Sequence, residues 1–132
     1  MDRPPDLETG DGASHRHALW EALSELWLDN ALQDGDIDRI ARVIAASPYT
    51  RAQVRAIHEF EVAPAVWTNL ALVAGEWAYF DPAWLRERCR AQAGLRDIAR
   101  HRVAAWLRRP WVRWHTAALL RRIEARIDEL AR

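Results

Sequence analysis

Large apolar residues in this chain recur every three or four positions and nowhere alternate by two over a useful length. That periodicity admits helices and argues against a sheet. Leu19, Trp20, Leu23, Leu26, Trp27 and Asn30 fall on one helical face, and Ile37, Ile40, Val43 and Ile44 on another. Thr116, Leu120, Ile123, Ile127 and Leu130 trace a third stripe near the end of the chain. The punctuation agrees. Ser14 reads as an N-cap, and Asp34 to Asp36 as the stop of one helix and the cap of the next. Ser47-Pro48 ends the second helix, because a proline pushes the preceding residue out of the helical region.

Thr50 and Gln53 have capping-box spacing. Pro64 is placed to open a fourth helix, Gly75 to close it, Asp81-Pro82 to open a fifth and Gly94 to end it. The tail reads as helix on both sides of Pro110. The expectation is an all-α, single compact helical domain of about six or seven helices over residues 14–132, after a flexible segment at residues 1–13.

The stretch VAGEWAYFDPAW, Val73 to Trp84, crowds four rings around one Gly and one Glu. It reads as a helix end, a short connection and a helix start, with rings filling the angle between two helices. Glu76 is the residue this reading explains least.

Charge divides the 132 residues sharply. Residues 1–81 carry fourteen acids and six arginines, and residues 82–132 carry thirteen arginines and five acids, so a net charge of zero conceals balances of −8 and +8. We label residues 14–81 the acidic half of the domain and 82–132 the basic half. Such a chain can fold its halves together or offer one face to a charged partner. All nineteen basic residues are arginine, which pairs bidentately with carboxylates and stacks on rings.

Chemistry is hard to find. Cys89 is the one cysteine, which excludes an internal disulfide and a cysteine-based zinc site. His58 and Glu61 stand three apart and could share a metal, but a second pair is missing, so His58 is expected to face solvent. The five glycines form no phosphate-binding loop, and the serines lie in no nucleophile elbow. No catalytic residue, metal or cofactor is therefore expected. The apolar-leaning run Ala63 to Ala74 is too short and too polar for a membrane span, and the first thirteen residues have no apolar block, so a cytoplasmic location is expected.

Two binding readings remain. The first is a non-enzymatic protein-binding module whose acidic half meets a basic partner through Glu59, Glu61, Glu76 and Asp81, with Trp67 or Trp77 as anchor. The second is a nucleic-acid-binding accessory protein using Arg108, Arg109, Arg113, Arg121 and Arg122, interleaved with Trp111 and Trp114. Against the second stands the zero net charge.

Three blocks, WEALSELWLD (Trp20 to Asp29), IARVIAASPY (Ile40 to Tyr49) and EVAPAVWTNLALVAGEW (Glu61 to Trp77), together resemble a family of small bacterial all-helical proteins with no established activity. The resemblance spans about Trp20 to Leu85 and supplies no site residues. In size and style such proteins are similar to the immunity proteins encoded beside secreted bacterial toxins. By that analogy the first reading sharpens to an immunity protein occluding the basic cleft of a toxin such as a nuclease.

Overall fold

A computed structural model describes residues 10–27, 32–66 and 82–132, with side chains from residue 14 onward. Among the described residues every regular element is helical and no strand occurs. The fold is all-α. Helix α1 spans Gly10–Ser24 and tightens into a 3-10 turn at Glu25–Trp27. Helix α2 spans Asp34–Ala46, and α3 spans Arg51–Ile57, widening into a π turn at His58–Val62 and continuing helically through residues 63–66. Helix α4 spans Pro82–Gly94 and α5 spans Ala99–Leu130.

Five helices are described where six or seven were expected, and the prolines account for the difference. Pro64 was expected to start a helix but sits inside one, and the tail, read as helical on both sides of Pro110, is a single helix through it. A proline ring collides with the carbonyl four residues back and brings no N–H to the ladder. Immediately before Pro64 the chain takes the wider π turn, in which the Ala63 N–H reaches the His58 carbonyl instead of the usual partner four residues back. Pro110 lies on the exposed face of α5, where water can satisfy the carbonyl it orphans. Ser14 likewise falls within α1 and not at its start.

The capping box and Pro82 behave as expected. The Thr50 hydroxyl accepts the Gln53 N–H at 3.1 Å, and the Gln53 side chain accepts the Thr50 N–H at 2.9 Å, completing the capping box of α3. The N-cap of α2 is Gln33 and not an Asp of Asp34 to Asp36; these lie in the first turn, where the Asp36 carboxylate accepts the Gln33 N–H at 3.0 Å and the acids complement the helix dipole. Pro82 is the first residue of α4. Gly75 and Asp81 lie outside the described residues, as does most of VAGEWAYFDPAW.

The core joins Leu19, Trp20, Leu23, Leu26 and Trp27 of the first segment to Ile37, Ile40 and Ile44 of α2, Leu85 and Cys89 of α4, and Val112 and Ile123 of α5. Helix α2 lies along α5, while the π turn touches α1, α4 and α5. The residues most central to the fold therefore sit on the least regular part of α3. The two charged halves close on each other: Arg122 reaches Asp34 at 2.9 Å, Arg126 reaches Asp38 at 2.7 Å and Arg86 reaches Glu21 at 3.1 Å. Exposed pairs of this kind contribute little individually. Their effect is to cancel the division of charge seen in the sequence.

Candidate functional site

The π turn carries three polar residues, and each organises different surroundings. Glu61 has no exposed surface. The Arg16 Nε donates to its Oε1 at 2.9 Å and the second Arg16 nitrogen to Oε2, while Trp20 Nε1 donates to Oε1 at 2.9 Å and Arg96 Nη1 to Oε2 at 2.7 Å. One carboxylate thus ties α1, α3 and the turn between α4 and α5. Arg96 also lies over the Phe60 ring at 5.2 Å, and Arg16 over Tyr49 at 5.5 Å. Burial opposes the charge on both arginines. For Arg16 the hydrogen bond and attraction of Glu61 outweigh it and the pKa rises; for Arg96 burial prevails over Glu61 and the pKa falls. Both remain cations.

His58 is buried, not solvent-facing as the sequence reading expected. Its Nε2 accepts the Trp27 indole N–H at 3.0 Å, so the ring is neutral with its proton on Nδ1. Burial first, and the neighbouring His115 second, push its pKa down to about 4. His58 stands four residues after buried Val54 and beside buried Ile57, so the helical period itself puts it on the inward face. Among the described residues no group of three or more His, Cys, Asp or Glu is placed to hold a metal. Cys89 is buried, and burial together with the negative Glu61 raises its thiol pKa, which leaves it unreactive.

From His58 a row of rings runs outward. Trp27 lies 5.8 Å from His58 and stacks on His115 at 4.9 Å; His115 stacks on Trp111 at 6.0 Å, and Trp111 meets Trp114 at 6.1 Å. Where the row ends, the outer face of α5 is apolar. Val103 is 56% exposed, Trp106 64%, Leu107 66%, Trp111 53% and Trp114 77%. With Pro110 they occupy positions 103, 106, 107, 110, 111 and 114, a helical stripe with nothing polar inside it. The inner face of α5 carries a second stripe at Ala105, Val112, Thr116 and Ile123. Two apolar faces on one helix were readable in the sequence. The tail after Pro110 drew attention, however, and the outer stripe begins before it. Arg16 and Arg96 were missed for another reason, because nothing in the spacing pairs them with Glu61.

Of the residues expected to meet a partner, Glu59 and Glu61 are among the described residues. Glu61 is enclosed. Glu59 accepts from Arg109 at 3.1 Å and from Arg113 at 3.2 Å, so it is engaged from within the molecule. Trp67, Glu76, Trp77 and Asp81 lie outside the described residues. Of the arginines named for nucleic acid, Arg109 and Arg113 hold Glu59 and Arg122 holds Asp34. Arg108 is half-buried and Arg121 exposed. A separate cleft of about 600 Å³ between α2, α3 and the end of α5 has an apolar floor of Ile44, Val54, Ile123 and Ile127. Its rim is closed by ion pairs, Arg51 with Asp128 and Arg55 with Glu124.

An all-helical domain with an enclosed ionic node and an exposed aromatic ledge is the class this geometry defines. Residues 14–126 match a domain of unknown function, DUF7079, and the chain belongs to that family. No curated protein and no solved structure matches it. Among the described residues no helix is long and apolar enough to cross a membrane.

Proposed function

We propose that this DUF7079 chain is a non-catalytic protein-binding module that engages its partner through the outer face of α5. The observation that carries the reading is the exposure of Val103, Trp106, Leu107, Trp111 and Trp114 on one ordered helical face. Trp and other large apolar side chains in this concentration are the usual anchors of interfaces. The ring row from Trp27 to Trp114 holds the ledge in place before anything binds, which lowers the entropy lost on association.

Of the acids named for an immunity protein facing a basic toxin, Glu59 and Glu61 are occupied internally, while Glu76 and Asp81 lie outside the described residues. Binding of nucleic acid is less favoured. Three of its five arginines face carboxylates, and His115 already stacks against Trp111.

The test compares the natural chain with a Trp106→Ser, Leu107→Ser, Trp114→Ser variant as immobilised bait for an extract of the source cells. A retained protein is then purified and titrated by calorimetry. The variant should bind at least about tenfold more weakly while its urea midpoint stays unchanged. A purified partner that binds both forms equally well overturns the proposal.

A further inference from the structure

Resting on that reading, we infer that the partner presents an amphipathic helix whose apolar stripe is flanked by acids, laid along the outer face of α5. The shape argument comes first. The exposed stripe runs from Val103 to Trp114, about 16 Å of helix, and is linear. Side chains at three- and four-residue spacing form ridges that interdigitate with those of another helix. Before Pro110, α5 contributes just one buried side chain, Ala105, which packs on Ala56 and Phe60. That stretch therefore has a whole outer face to offer a second helix.

Charge selects the flanks. Between residues 95 and 115 the chain carries Arg96, Arg100, Arg102, Arg108, Arg109 and Arg113 against Asp97 alone. Arg109 and Arg113 share a single carboxylate, Glu59, and Arg96 is held by Glu61. Arg100 and Arg102 are exposed and, among the described residues, have no carboxylate partner. A helix seated on the ledge thus meets positive charge beside it, and acids at its edges complete the contact.

The same arginines disfavour the other occupants. A second copy of the chain would bring one arginine-flanked stripe against another. Nucleic acid and anionic bilayers attract through many charges summed over distance, and this chain has zero net charge, with six of the thirteen arginines of its basic half held by carboxylates among the described residues. Contact with one helix depends instead on the charges next to the stripe.

The experiment uses the full chain and three fluorescein-labelled synthetic helices of about five turns, each with a leucine stripe and flanks of Glu, Gln or Lys. Anisotropy should place the Glu peptide about tenfold tighter than the Gln peptide, with the Lys peptide weakest. An Arg100→Glu, Arg102→Glu variant should narrow or reverse that order, and the Trp106→Ser, Leu107→Ser, Trp114→Ser variant should lose binding to the Glu peptide. Equal binding of all three peptides overturns the charge inference while leaving protein recognition by this face standing. If no peptide binds but single-stranded DNA or phosphatidylglycerol vesicles do, and the serine variant loses them, both the inference and the proposed function fail. A dimer seen by light scattering and abolished in the serine variant gives the face to a second copy and overturns the inference.

Discussion

Replacing Glu61 with Gln should be among the most damaging conservative changes in the molecule. The side chain keeps its shape, and its carbonyl can still accept the Trp20 indole N–H. What disappears is the charge between two guanidiniums whose side chains are 5% and 12% exposed. The amide nitrogen of Gln also sets a donor against arginine donors. Breaking a buried ion pair by removing one partner costs about 3–5 kcal/mol, because the remaining charge has neither water nor counter-ion. Domains are stable by about 5–15 kcal/mol in total, so the loss is a large share of what is available. For a chain of this length it corresponds to a fall in Tm of roughly 10–20 °C.

Urea titration followed by tryptophan fluorescence reads the change directly, since Trp20 and Trp27 are both buried. A companion variant, Arg16→Met, Glu61→Leu, Arg96→Met, removes the three charges together and should recover most of the loss. The reasoning fails if Glu61→Gln costs less than about 1 kcal/mol, or if the charge-free triple variant is as unstable as the single one.

Two further outcomes follow from the same packing. His58 ordinarily titrates at 6.5 and is held down to about 4, so between those values the unfolded chain binds a proton that the folded chain refuses. This group's contribution is therefore complete above about pH 6.5 and is lost as pH falls, by about 3 kcal/mol at pH 4. Urea midpoints measured across that range should slope less in His58→Leu than in the natural chain, and identical slopes would remove His58 as the cause. Thr50→Ala deletes the acceptor for the Gln53 N–H at the head of α3. It should cost about 1 kcal/mol in a thermal or urea melt, and no measurable change would show the cap to be dispensable.

Much of the fold was legible because the relevant forces are local. The stripes of α2 and of the end of α5, the capping box at Thr50 and Gln53, and Pro82 opening α4 all depend on residues within a few positions of each other. The errors came from the same local rules applied where packing overruled them. Pro64 read as a boundary and the tail as helical on both sides of Pro110, yet a π turn accommodates one proline and solvent the other. His58 read as a surface residue because no second ligand pair gave it an inward role, yet packing against Trp27 buries it.

By itself the sequence determined the class of fold, the main helical segments and the apolar stripe at the end of α5, since periodicity and capping are properties of neighbouring residues. Only tertiary structure decided which charges meet. Arg16 and Glu61 are 45 positions apart, and Arg96 and Glu61 are 35 apart. No spacing rule spans such intervals, because the pairing is fixed by how α1, the π turn and the turn between α4 and α5 pack. The same packing turned one apolar face of α5 inward and left the other outside. That choice, made by where the core had room, leaves Trp106, Leu107 and Trp114 exposed to a partner.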